Sequence, residues 1–398
     1  MIFQRAALPV MVAAMSAPVR ILHAHSTFDL GGKEARAVRL MNAFGGAAEH
    51  AVLTSVPGAT SARAAIDRSV RADFPAAAPP LAGRPGLGRL FRLARFMKGF
   101  DLILTYNWGA FDAVMARYLF AKAVGLPPLV HHEDGFNEDE ARELKAGRNL
   151  YRRLGLSAAF RLVVPSRRLE GIAREAWGQG PERVMRIPNG IATPFYAAAP
   201  AQAIPGLDPE PDEIVIGTVA GLRPVKNLPR LVRAFAAMTS KKARLVIVGS
   251  GPESERIVAE ARARGVADRV HMPGFLPDPA RWIGRFDIFA LSSDSEQLPI
   301  SLVEAMAAGL PAVATAVGDV PHMVSADNRP LIVDPEDEAA LAAALDSLAE
   351  RPDLRRAIGR ANRQKAAAEH DETKMIASYA RLYGEAIARP HAFIPRSS

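Results

Sequence analysis

The chain has no cysteine. Disulfide scaffolds and thiolate metal sites are therefore excluded, and the composition is compatible with a reducing compartment. Aromatic residues are few, at 7%. No helix-turn-helix, zinc or RNA-binding signature is present, so nucleic acid is not an expected partner. No apolar run reaches the roughly eighteen residues that would read as a membrane-spanning helix. Low-complexity tracts and short-period repeats are absent too. What remains is the composition of a globular protein, 49% hydrophobic and 23% charged. At 398 residues two domains are the natural expectation.

The net charge of +8 is unevenly spread. Residues 1–195 carry 26 Lys and Arg against 16 Asp and Glu, whereas residues 196–398 carry 24 against 26. A basic first half suits an anionic partner such as a membrane surface or a polyprenyl diphosphate. At the start, Arg5 followed by the apolar stretch Ala6 to Met15 has a faint signal-peptide pattern. The stretch is short, contains Pro9 and runs straight into a strand, so residues 1–18 read as an over-extended start, with Met11 or Met15 as alternative initiators.

Strands and helices alternate along the chain. Val19–His23, Ala51–Thr54, Asp101–Thr105, Leu129–His131 and Leu162–Val164 read as buried parallel strands of a first domain. Ile214–Val219, Leu245–Gly249, Val270–Met272, Asp287–Leu291 and Ala312–Ala314 repeat the design. This pattern predicts two doubly wound α/β domains. Prolines 194, 200, 205, 209 and 211 make Thr193–Asp212 the linker candidate. Asp371 is placed to cap a last helix carrying Met375, Tyr379, Leu382 and Tyr383 on one face.

The densest signal is Ser293–Pro311, where Glu296 and Glu304 stand with seven residues between them. Glu296 falls in a loop after an apolar strand. Glu304 falls inside a short helix opened by Pro299 and closed by Gly309. A carboxylate on so apolar a helix must find a partner or bear its desolvation. Chelation of vicinal hydroxyls, as offered by ribose and hexoses, meets that need. The second signal is Gly221–Asn227, between a strand and a helix with apolar residues at Leu228, Leu231, Val232 and Phe235. Asn227 is the expected N-cap. A helix start flanked by Arg223 and Lys226 suits a diphosphate. Gly31 and Gly32 follow the first strand and let a backbone amide approach a phosphate or sugar. Leu129–Phe136 ends another strand with His131, His132, Glu133 and Asp134, a set suited to hydroxyl recognition or proton transfer. A metal is disfavoured there, because adjacent strand residues point to opposite faces.

With its flanking Glu-Ala-Met-Ala-Ala-Gly-Leu-Pro, the paired-glutamate segment resembles the retaining nucleotide-sugar glycosyltransferases of family 4, the group 1 glycosyl transferases of the GT-B superfamily. The resemblance covers residues 19–388. It implies the GT-B fold: two Rossmann-like parallel-sheet domains with a cleft between them. It also implies an acceptor-binding domain over 1–195, a nucleotide-sugar domain over 196–370, and a C-terminal helix within 371–398 crossing back to the first domain. By this resemblance Arg223 and Lys226 hold the donor diphosphate and neutralise the leaving group. Glu304 binds ribose, and Glu296 binds the sugar hydroxyls at C3 and C4. Gly31 and Gly32 contact the diphosphate across the cleft. Gly249 either faces the nucleotide or simply turns the chain, and Gly274 and Phe275 resemble the segment whose backbone reads the base. Leu298 and Pro299 stand in the donor loop, where Gln297-Leu298-Pro299 replaces the commoner Gly-Phe-Gly and removes one amide. A family histidine near the sugar's O6 has its counterpart among His131, His132, Glu133 and Asp134. Glu133-Asp134-Gly135 stands where relatives have Glu-His-Gly, which puts Asp134 in that histidine's place. Ser166 and Ile187–Ile191 match further elements of the family.

The implied activity is transfer of a sugar from a UDP-sugar or GDP-sugar, with retention, to a glycan or polyprenyl-linked acceptor in cell-surface polysaccharide or glycolipid synthesis. No cofactor and no metal are expected. The expected location is cytoplasmic, or peripheral on the inner face of the plasma membrane. Two alternatives stay open: a nucleotide-sugar epimerase or hydrolase of the same fold, and a non-catalytic sugar-nucleotide-binding protein.

Overall fold

The computed structural model describes residues 17–81, 83, 86–136, 140, 144–198 and 202–393, so the signal-like stretch Ala6 to Met15 lies outside the described residues. Apolar, β-branched runs become strands where helices can cover both faces. In the first half, β1 (Val19–His25), β2 (Ala48–Thr54), β3 (Arg71–Asp73), β4 (Leu102–Tyr106), β5 (Leu129–His132), β6 (Arg161–Val164) and β7 (Val184–Arg186) form one parallel sheet. Its order is β3-β2-β1-β4-β5-β6-β7. In the second half, β8 (Ile214–Val219), β9 (Ala243–Val248), β10 (Val270–Gly274), β11 (Ile288–Leu291), β12 (Ala312–Thr315) and β13 (Ile332–Val333) form another parallel sheet, in the order β10-β9-β8-β11-β12-β13. Strand order reverses between β1 and β4 and between β8 and β11. The loops leaving neighbouring strands diverge there and open a crevice at the carboxyl edge.

Each sheet has an apolar cluster on both faces. Alternate residues of β1 divide between them: Leu22 and Ala24 on one side, Val19 and Ile21 on the other. The first sheet also buries rings. His25 stacks on Tyr106 with centroids 4.0 Å apart, and Tyr106 stacks on His132 at 4.6 Å. Burial holds His23 and His25 well below the usual histidine range and pushes His50 down to about 4, so these rings sit neutral in the core.

The chain crosses between the domains twice, at one place. Ile191 N donates to His370 O and Glu372 N donates to Ile191 O, both at 2.9 Å, pairing Ile191 with Asp371. Gly190 is required there, since a Cβ would stand 2.9 Å from the Glu372 Cα. This pairing stands just ahead of the proline-rich segment expected as linker. In its described part that segment is no free tether: Ile204 is buried in the second domain's core and Tyr196, in the helix Thr193–Ala197, packs against it. After the second crossing Asp371 accepts from Thr373 N at 2.9 Å, capping the helix Glu372–Ala386. That helix returns to the first domain, packs against β5 and the helix Gly32–Phe44, and buries Met375, Tyr379 and Tyr383 in that domain's core. The Tyr383 hydroxyl and His132 Nε2 are hydrogen-bonded at 2.8 Å.

Removing the Tyr383 ring would leave a large cavity and strand the His132 nitrogen. Tyr383→Ala is expected to cost about 3–5 kcal/mol of first-domain stability. The measurement is the midpoint shift of the first-domain transition in urea; a change within about 0.5 kcal/mol would mean the helix does not hold that core.

Candidate active site

A cleft of about 1440 Å³ lies between the carboxyl edges of the two sheets. Gly32, Lys33, Asp134, Gly135 and Phe136 line it from the first domain, and Arg223, Lys226, Glu296, Gln297 and Leu298 from the second. Residues far apart in the sequence, such as Gly32 and Leu298, thus share one space. Gly31 precedes the cleft-lining Gly32 as the residue before the helix Gly32–Phe44.

The second-domain wall is built from the loops leaving β8 and β11, which are tied to each other. Ser292 Oγ donates to the carbonyl oxygens of Lys226 and Asn227 at 3.1 Å, and Asp294 N donates to Val225 O at 2.8 Å. Asn227 is not the expected side-chain cap of the helix Leu228–Ala237. It adopts the left-handed conformation, φ +43°, and its side-chain amide donates to Asp294 Oδ1 at 3.0 Å instead. The tie brings two predicted residues into direct contact: Lys226 Nζ donates to Glu296 Oε1 at 2.6 Å, and Ser293 Oγ donates to the same oxygen at 2.7 Å. Arg223 stands exposed at the cleft. Pro299 is the residue before the helix Ile300–Ala307. Gly249 follows β9 and Gly274 ends β10, outward of β8, and with Phe275 they are not among the residues lining the cleft. Gly249 has φ +145°, and a Cβ there would stand 1.8 Å from the Ala220 carbonyl oxygen.

On the first-domain side the four polar residues after Val130 separate. Asp134 reaches the cleft. Arg36 grips its carboxylate with two nitrogens, Nη2 to Oδ2 at 2.8 Å, and Arg36 Nη1 also donates to Asn189 Oδ1 at 2.9 Å. Burial would raise the Asp134 carboxyl, but Arg36 outweighs it and holds the group below its ordinary range, as a fixed anion. His132 is buried and does not line the cleft. Its Nδ1 faces Thr105 O at 3.1 Å and its Nε2 faces Tyr383. Burial, with Arg36 second, pushes it down to about 3, so it carries no proton near neutrality. His131 and Glu133 are buried behind the wall beside Arg152, whose guanidinium pairs with Glu140 at 3.1 Å and lies 5.0 Å from the rings of Trp108 and Trp177. Alternation along a strand allows only part of such a set to face one side.

Glu304 is half-buried one turn into its helix, and Tyr196 meets it from the segment after the first crossover. The Tyr196 hydroxyl donates to Glu304 Oε1 at 2.9 Å. Sequence reasoning missed Tyr196; the only trace was a lone aromatic pair, Phe195-Tyr196, in a proline-rich stretch. Burial pushes Glu304 up to about 7, against the opposing pull of Tyr196 and Arg39. A ligand that donates hydroxyls to this carboxylate favours its ionised form. If Glu304 takes ribose hydroxyls, as the family resemblance implies, the free group must lose a proton to bind at any pH below about 7, and nucleoside diphosphate affinity is expected to fall with falling pH by up to about tenfold per unit. Titration calorimetry with UDP and GDP between pH 8 and 5.5 measures this. In Glu304→Gln only the ligand's own phosphate titration should remain, and an identical pH profile in both proteins would refute the assignment.

Residues 203–365 match the family model described as Glycosyl transferases group 1, and residues 30–194 match Glycosyltransferase Family 4. The D-inositol 3-phosphate glycosyltransferase of Mycobacterium sp. (strain KMS) is 34% identical over 326 residues, 72% of this chain and 71% of that protein. The N-acetyl-alpha-D-glucosaminyl L-malate synthase of Bacillus anthracis is 28% identical over 44% of this chain and 46% of its own length. Such alignments span about half the length of several curated relatives. Among solved structures, HepE of Anabaena in complex with UDP superposes with a TM-score of 0.74 at 17% identity, over 91% of this chain and 98% of that one. The sucrose-phosphate synthase of Thermosynechococcus elongatus gives 0.72 at 21% identity, over 93% and 99%. Two matching families in tandem, a relative aligned over most of both chains, and the shared two-sheet architecture agree: the chain belongs to the group 1 glycosyltransferases of the GT-B fold.

Proposed function

We propose that this protein transfers a sugar from a UDP-sugar or GDP-sugar, with retention of configuration, to a glycan or polyprenyl-linked acceptor in cell-surface polysaccharide or glycolipid synthesis. The observation that carries the reading is the convergence of Arg223, Lys226 and Glu296 on one cleft wall, opposite Gly32 and Asp134. Arg223 and Lys226 supply the positive charge that a departing diphosphate needs, at preorganised positions, without calling on a metal. Glu296 binds hydroxyls of the donor sugar and Glu304 those of the ribose. Asp134, held anionic, accepts from a sugar hydroxyl on the first-domain side. No side chain is assigned as an enzymic nucleophile, in keeping with attack by the acceptor from the leaving-group face.

Glu304→Ala and Arg223→Ala are each expected to abolish transfer with the fold intact by circular dichroism. Glu296→Ala should impair transfer far more than it weakens binding of the bare nucleoside diphosphate, because its partner is the sugar. Release of nucleoside diphosphate with and without acceptor is the assay. Full turnover by the Glu304 or Arg223 variant, or equal losses of nucleotide and nucleotide-sugar affinity in the Glu296 variant, would sink these roles.

The acceptor side carries a surface suited to an anionic membrane. The helices Leu87–Met97, Phe111–Val124 and Ala146–Leu156 pack side by side. They expose Leu87 and Phe91, Tyr118 and Leu119, and Leu150 and Leu154, beside the exposed cations Arg92, Arg95, Lys98, Lys122 and Arg153. Arg152, on the last of these helices, is buried in its ion pair with Glu140 and does not join that surface. Each cation near an anionic surface contributes about 1 kcal/mol, screened by salt. Co-sedimentation with anionic vesicles at low salt, lost in neutral vesicles or at high salt, is the expected result. Equal sedimentation with both vesicle types would remove the membrane from the proposal.

A further inference from the structure

The helix Arg167–Glu175 belongs to the first domain, but its first amides turn toward the second. Ser166 Oγ accepts from Leu169 N at 3.1 Å, which leaves the amides of Arg167 and Arg168 in need of an acceptor. The acceptor is Asp319, which follows β12 in the other domain. Arg167 N donates to Asp319 Oδ2 at 2.6 Å and Arg168 N to Oδ1 at 3.0 Å. Asp319 is only 5% exposed. A buried carboxylate must have its charge satisfied, and here both oxygens are filled from across the domain boundary, at the positive end of a helix.

Within its own domain Asp319 is built onto the sugar-facing loop. Its backbone N donates to Gln297 O at 3.2 Å. The preceding Gly318, at φ +56°, lies so close that a Cβ would stand 2.1 Å from the Glu296 carbonyl oxygen. Gln297 in turn touches the first domain. Ser166 Oγ donates to Gln297 Oε1 at 3.5 Å, and a Cβ on Gly135 would meet the Gln297 Cγ at 3.2 Å. One short segment thus joins a helix start of the acceptor-side domain to the backbone of Glu296.

We infer that Asp319 is a positioning residue that couples closure of the two domains to the shape of the Glu296–Gln297 loop. When the domains part, the carboxylate and the two amides are returned to water, and the loop loses its outer brace. When they close, the helix start draws Asp319 in and the loop is set. Coupling of this kind is reciprocal, so a ligand that orders the loop also favours closure. The effect on transfer rests on the proposed glycosyltransferase activity; the structural coupling does not.

The test uses the full chain with Asp319→Ala and Asp319→Asn, the latter still able to accept an amide. Hydrogen exchange across residues 294–298, on the far side of the boundary from the capped helix, reads the coupling without any enzymology. At least threefold faster exchange is expected in Asp319→Ala, with partial recovery in Asp319→Asn. Unchanged exchange would overturn the inference even if no transfer activity were found. In transfer assays Asp319→Ala should lower kcat at least tenfold while the Kd for UDP or GDP moves less than twofold. Wild-type kcat, or a nucleotide Kd that weakens in step with kcat, would also overturn it.

Discussion

The pairing of Ile191 with Asp371 is the constraint on which the rest of the molecule depends. Two crossings of the chain between domains, bonded to each other, define one axis about which the sheets are hung. Arg39 braces it from the first domain, donating to Gly190 O at 2.7 Å and pairing with Glu372 at 2.8 Å. Because that axis is shared, the switch points of both sheets open onto the same space, and loops that would otherwise be two separate crevices become the walls of one. A single flexible tether would leave their relative orientation open.

Several charges in and around that space are paired with each other. Lys226 is held by Glu296, Asp134 by Arg36, and Arg230 by Asp294 at 2.7 Å. Partly buried pairs of this kind contribute little net stability, since desolvation offsets their attraction. Their consequence is geometric. The cation proposed for the diphosphate and the carboxylate proposed for the sugar are already desolvated and adjacent before any donor enters. Binding then exchanges one partner for another in place of ordering two free side chains.

Much of the architecture was legible along the chain. The long strands, such as Ile214–Val219 and Leu102–Tyr106, announce themselves as unbroken apolar runs. The strands β3, β7 and β13 do not: at two or three residues each they have no period to detect and exist only because a neighbouring edge pairs with them. Of the candidate site, Arg223, Lys226 and Glu296 were visible because each sits in a loop that directly follows a strand. Tyr196, Arg36 and Asp319 were invisible, since each acts on a partner about one hundred or more positions away. A histidine at a strand end, such as His132, reads from the sequence as exposed, while here the returning C-terminal helix covers it.

The sequence by itself determined the two α/β repeats, most of their strands and the loops where polar residues gather, because these follow from local periodicity and from the placement of glycine and proline. Only the tertiary structure decided which of those polar residues share a cleft, which are sealed in the core, and in what charge state they stand. His131, His132, Glu133 and Asp134 are consecutive, yet Asp134 alone lines the cleft. Burial and the reach of a distant arginine are properties of the packed molecule, and they set the protonation of His132, Asp134 and Glu304.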